Sequence, residues 1–187
     1  IAAVGDYDFH VQRLSGSGTS FATPVITGTA ALVKQKYPWM NSDLVRQTIL
    51  STATDKGDKG VDKVYGWGLV NVSKAVKGPA LFDKRLALGD YVNVSFDNVT
   101  SSFDNNIGGD AGLIKDGSGT LLLTGVNSYT GNNIIKNGQL KINGSSVSGV
   151  AIQSQGVLSG DGGYIASNVV NEGGTLVNEG AGLTIQG

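Results

Sequence analysis

The side chain best placed to do chemistry is Ser20, in the run Gly18-Thr19-Ser20-Phe21-Ala22-Thr23-Pro24. From Phe21 to Val33 every residue is apolar or small, and the first charge is Lys34; this predicts a helix buried on most sides with Ser20 at its mouth. A serine there can be a nucleophile, because the free N–H groups of the first turn and the positive end of the helix dipole stabilise an anion forming beside it. Pro24 fits that first turn, where its missing N–H costs nothing. The plainer reading makes Thr19 or Ser20 an N-cap. Capping alone requires neither Gly18, which lets the backbone turn tightly, nor the small Ala22 after the bulky Phe21.

The heptapeptide resembles the nucleophile motif of the subtilisin-like serine proteases, Gly-Thr-Ser-x-Ala-x-Pro, at every fixed position. The likeness extends over roughly residues 14 to 79. Tyr37-Pro38 closes the first helix, and Asn41-Ser42-Asp43 offers caps for a second, with Leu44, Val45, Thr48, Ile49 and Ala53 on its inner face. After the polar loop 55–60, Tyr65-Gly66-Trp67-Gly68-Leu69-Val70-Asn71 with Val72, Ala75 and Val76 is similar to the glycine-rich turn and short helix that end a subtilase domain. The resemblance implies that Ser20 attacks a peptide carbonyl and that its backbone N–H helps bind the oxyanion, with Gly18, Thr19, Ala22 and Pro24 as supporting motif residues.

A serine hydroxyl needs a base, and the base an orienting carboxylate. In subtilisin-type enzymes the order along the chain is Asp, His, Ser, with the first two far upstream. Only 19 residues precede Ser20 here. The single histidine, His10, lacks the His-Gly-Thr setting of the family and reads as an ordinary surface or loop residue; Asp6 and Asp8 read as a solvated loop. The upstream asparagine of the family's oxyanion hole has no counterpart either. This chain alone is therefore expected to be inactive, and its missing N-terminal protease portion is an expected partner.

Charge and composition narrow the classes. A net charge of −1 argues against a nucleic-acid surface. The longest apolar stretch contains Thr, Pro and Gly and is too short to span a bilayer. Zero cysteines remove disulfides, thiol chemistry and cysteine-ligated zinc. No metal site or cofactor is readable; a structural calcium is implied only by analogy with the family.

Beyond Pro79 the character changes: 20 of the 29 glycines fall in residues 80–187, and helical periodicity gives way to short β patterns. Residues 80–112 read as a connecting or capping segment with at least one strand. Thereafter Gly119-Thr120-Leu121, Gly138-Gln139-Leu140, Gly156-Val157-Leu158 and Gly174-Thr175-Leu176 recur at spacings of 19, 18 and 18 residues. That period is too short for two helices and predicts a right-handed parallel β-helix of about four coils, its inward side chains stacked about 4.8 Å apart. Leu121, Leu140, Leu158 and Leu176 form one expected ladder, Leu123 and Ile142 the next inward position, and Ile134, Val150 or Ile152, and Val169 another wall. The last coil offers strand edges, so end-to-end self-association is expected.

The run from Gly112 to Gly125, followed by Asn127-Ser128-Tyr129-Thr130-Gly131, resembles the passenger-associated repeat of bacterial autotransporters. Together the two resemblances imply a mixed fold: the C-terminal part of an α/β subtilase domain (1–79), a connecting segment (80–112) and a β-helical stem (113–187). They also imply a Gram-negative, secreted or surface-displayed serine endopeptidase with a protein or peptide substrate and a C-terminal outer-membrane β-barrel. Two rivals stand beside this reading. One is a non-catalytic structural or adhesive β-helix. The other is a carbohydrate-active β-helix, for which Asp161, Glu172 and Glu179 are too sparse.

Overall fold

The computed structural model describes residues 18–187. Helix α1 (Thr19–Lys36) stops where the Tyr37 N–H donates to the Val33 carbonyl at 2.8 Å and Pro38 blocks further propagation. Asn41 caps α2 (Ser42–Ser51), its side chain accepting the Leu44 N–H at 2.8 Å, with Asp43 in the first turn where the dipole favours a carboxylate. Leu44, Val45, Thr48 and Ile49 are buried as their spacing predicts, together with Gln47, whereas Ala53 lies beyond the helix end. Thr54 and Leu69 close the intervening loop by exchanging N–H···O bonds of 2.7 and 2.8 Å, and Asn71 caps the short α3 (Val72–Ala75).

The expectation that α1 is buried on most sides does not hold for these residues. Of its 18 residues only Thr29 and Val33 are buried, while Phe21 and Leu32 are 37% and 45% exposed. An apolar helix is buried only where something covers it, and the described residues pack α2 and α3 against one side.

After β1 (Leu81–Phe82) and the one-turn α4 (Lys84–Ala87), the chain winds into a parallel β-solenoid of about five turns. Its coils are β2 to β4 (Tyr91–Ser95, Thr100–Phe103, Gly108–Gly109), β5 to β7 (Gly112–Asp116, Thr120–Leu123, Val126–Asn127), β8 and β9 (Asn133–Ile142, Ser145–Ser146), β10 and β11 (Val150–Gly160, Gly163–Ile165), and β12 to β14 (Val169–Glu172, Thr175–Asn178, Leu183–Ile185). Every strand pair is parallel. Parallel pairing begins at Leu81, opposite Gly108, and the first full coil starts at Tyr91, opposite Gly112, so it lies within the stretch whose composition suggested a connector.

The leucine ladder forms in register: Leu121, Leu140, Leu158 and Leu176 stand one above another, the first three with no exposure and Leu176, in the fifth coil, half exposed. Leu123 and Ile142 pair beside it, both buried. The other wall has Val150, Ile152 and Val169 on inward rows as expected and departs from expectation at Ile134. Leu113, Asn133, Val150 and Val169 share one inward row, and Lys115, Ile135 and Ile152 the next. Ile134 instead pairs with Ile114 and Ala151, on the outer surface. Successive strand side chains alternate faces, so one residue of register exchanges inside for outside. Asn133 can face inward because the Tyr129 hydroxyl donates to its Oδ1 at 2.6 Å. At one corner Gly117 and Gly138 stack with φ of 72° and 67°; a Cβ on Gly138 would lie 2.3 Å from the Gly117 carbonyl oxygen.

One hydrophobic cluster runs without interruption from Val33, Tyr37 and Met40, through Phe96 and Phe103, to Ile165. The helical head and the solenoid therefore share a core.

Candidate active site at the head of α1

Ser20 is the second residue of α1 and is exposed. Gly18 precedes the helix with φ 147°, a backbone state that favours glycine, and no side chain makes a capping hydrogen bond. Neither Thr19 nor Ser20 is the N-cap. The Phe21 and Ala22 N–H groups donate to the Gly18 carbonyl at 3.1 and 3.3 Å. The N–H groups of Thr19 and Ser20 lie ahead of those bonds and are the remaining donors of the first turn among the described residues. An oxyanion forming beside the Ser20 hydroxyl would meet these donors and the positive end of an 18-residue helix.

Pro24 sits differently from the expectation. Because the helix starts at Thr19, Pro24 is its sixth residue and lies past the first turn. It lacks the N–H that would bond the Ser20 carbonyl, so the turn carrying Ser20 is held by one hydrogen bond fewer. Thr23, Thr27 and Thr29 return their hydroxyls to the carbonyls of Thr19, Thr23 and Val25 at 3.0, 3.1 and 2.7 Å. With their polar atoms satisfied within the helix, Thr23 and Thr27, four residues apart on the exposed side, suit a face that another surface covers.

The motif residues Gly18, Thr19, Ser20, Ala22 and Pro24 thus lie together on the first two turns. His10, Asp6 and Asp8 lie outside the described residues, which contain no histidine. Among the described residues no three His, Cys, Asp or Glu side chains converge to hold a metal ion.

Two features escaped the sequence reading. The Tyr37 hydroxyl lies 2.9 Å from the Ser102 carbonyl oxygen and 3.3 Å from that of Val76, Trp39 Nε1 donates to Ser101 Oγ at 3.1 Å, and the Trp39 ring stacks on Phe96 at 4.2 Å. Burial, then the charge of Asp104, raises the Tyr37 hydroxyl well above its ordinary range. The available signal was the aromatic pair flanking Pro38 just after the helix stop. The second feature is Lys115, fully buried, whose Nζ donates to the carbonyls of Asp116 and Gly117 at 2.7 Å and of Asn137 at 3.3 Å, 4.9 Å from the Phe96 ring centre. Burial pushes it down to about 8, against the attraction of Asp116 and Asp97. Its parity with Leu113 was the sequence clue.

Comparison with known proteins follows the same division. Residues 7–68 match the sequence profile of the Subtilase family and residues 113–142 that of the Passenger-associated-transport-repeat. The Neisserial autotransporter lipoprotein NalP of Neisseria meningitidis serogroup B is 42% identical over 159 residues, 84% of this chain and 14% of that protein. The two profile matches and this relative together fit a part of a subtilisin-like autotransporter. The Extracellular serine protease of Serratia marcescens is 36% identical over 197 residues, covering 89% of this chain and 19% of that protein. Subtilisin DY of Bacillus licheniformis is 44% identical over 61 residues, which is 33% of this chain and 21% of that protein. The likeness to subtilisin DY is thus confined to a third of the chain, whereas the first two relatives also align with solenoid. The chain spans 14% and 19% of the lengths of those two relatives.

Proposed function

We propose that this chain is the nucleophile-bearing part of a secreted or surface-displayed serine endopeptidase joined to the first coils of its stem. Ser20 attacks the carbonyl carbon of a peptide bond, and its backbone N–H binds the tetrahedral oxyanion. A histidine and an aspartate from the N-terminal protease portion supply the base and its orienter. The supporting observation is the placement of Ser20: second in an apolar helix, behind a positive-φ glycine, on a turn whose leading N–H groups make no bond among the described residues. The uncovered face of α1, with Phe21 and Leu32 exposed, fits packing against that same N-terminal portion. A C-terminal outer-membrane β-barrel belongs to this reading as the stem's continuation.

The test is labelling with a fluorophosphonate probe. The parent protein should label at Ser20, Ser20→Ala should abolish both labelling and casein cleavage while leaving thermal stability unchanged, and the chain alone should remain unlabelled. Labelling of the chain alone at Ser20 would place a base within residues 1–187. A parent protein that does not label would instead be a structural or adhesive passenger.

A further inference from the structure

The solenoid is joined to the nucleophile helix by more than the chain itself. Among the described residues, α1 is buried only at Thr29 and Val33, and the segment that follows it is held by the first coil. Trp39 lies on Phe96 with the rings 28° from parallel, and Phe103 meets Tyr37 edge-on at 5.8 Å. Asn105 Nδ2 donates to the carbonyls of Lys74 and Gly78 at 2.9 and 2.6 Å, and the Asp104 N–H donates to Lys77 O at 2.8 Å. Gly78 lets Phe103 close on the head: a Cβ there would lie 2.6 Å from the ring. Behind Phe96 stands the Lys115 ammonium, so the stack Trp39, Phe96, Lys115 reaches from the helix end into the second coil.

We infer that the first coil, residues 91–109, is the seat of the nucleophile helix, and that Trp39 and Phe96 are positioning residues for Ser20. The inference rests on the reading of Ser20 as nucleophile. Its force comes from leverage. Thirteen residues separate Ser20 from Val33, which at about 1.5 Å per residue is an arm of about 20 Å. A tilt of about 3° at the base moves the hydroxyl by about 1 Å, enough to cost a reaction up to about 100-fold in rate. Substrate groups bound elsewhere do not feel the tilt, so the loss falls on kcat. The stem is then a working part of the catalytic unit, and a protease domain cut away before Tyr91 loses the support that aims its serine.

The test compares Phe96→Ala and Phe96→Tyr in the parent protein, with kinetics on a peptide p-nitroanilide and amide hydrogen exchange of residues 19–32. Phe96→Ala should lower kcat about tenfold with KM unchanged and speed exchange in that segment about tenfold, and Phe96→Tyr, which keeps the ring, should restore both to within about twofold. If Phe96→Ala does not fold, Ser101→Ala, which removes the Nε1–Oγ bond and leaves both rings in place, should lower kcat about two- to threefold at constant KM. A folded Phe96→Ala protein with kcat and exchange both at wild-type values overturns the seat, as does an equal loss in the Tyr variant. A wild-type parent that never labels at Ser20 overturns the protease reading and with it any positioning role; the exchange result then stands alone as a measure of the joint.

Discussion

Lys115 makes the folded chain's stability depend on pH in an unusual direction. Its ammonium is buried and its pKa is pushed to about 8, against 10.5 when free. Below pH 8 the group is protonated in both folded and unfolded chains, and the fold bears the desolvation cost. Between pH 8 and about 10 the unfolded chain binds more protons at this lysine than the folded one, so stability rises with pH. In this window one pH unit is worth about 1.4 kcal/mol, giving about 2 kcal/mol between pH 8 and 9.5. Three carbonyl acceptors and the Phe96 ring favour the ammonium and trim that gain to about 1–2 kcal/mol. Above pH 10 the trend reverses, because burial raises the hydroxyls of Tyr37 and Tyr129 and the unfolded tyrosines lose their protons first. Urea unfolding followed by tryptophan fluorescence, with a slope of about 2 kcal/mol/M, should show the midpoint rising by about 0.5–1 M from pH 8 to 9.5. Lys115→Met should remove the rise while leaving three carbonyls without their donor. A flat or falling wild-type midpoint, or an equal rise in Lys115→Met, would refute the reasoning.

Two further substitutions probe the solenoid. Ile135→Asp places an unpartnered carboxylate in the interior and should cost several kcal/mol, whereas Ile134→Asp, on the outer row, should shift the urea midpoint little; equal effects would mean that the assigned faces are wrong. Gly138→Val puts a β-branched residue at φ 67° with its Cβ 2.3 Å from a backbone oxygen, and should destabilise by about 3 kcal/mol or more, against a small effect for substitution at Gly89, whose Cβ position is open.

Local spacing carried a large share of what the chain is. The heptapeptide around Ser20 marked the site because a tight glycine turn, a serine and an apolar run are consecutive residues, and the 18–19 residue recurrence of Gly-x-Leu marked the solenoid because each coil repeats one local pattern. The Leu121, Leu140, Leu158 ladder followed directly from that period. The neighbouring wall followed only in part: three consecutive residues, Asn133, Ile134 and Ile135, offer two isoleucines on opposite faces, and only pairing with Leu113 and Val150 decides that the polar Asn133 points inward. The same holds for the first coil. Tyr91 to Phe103 has no Gly-x-Leu signature, and its strands are defined by partners about twenty residues downstream. The start of α1 differs from its sequence signal because Gly18, rather than Thr19 or Ser20, is its cap, which carries Pro24 into the second turn. Trp39 on Phe96, and the carbonyls that hold Lys115, join residues 57 and up to 22 positions apart. Sequence periodicity records which residues share a face of one element; which faces of distant elements meet is decided only when the core closes.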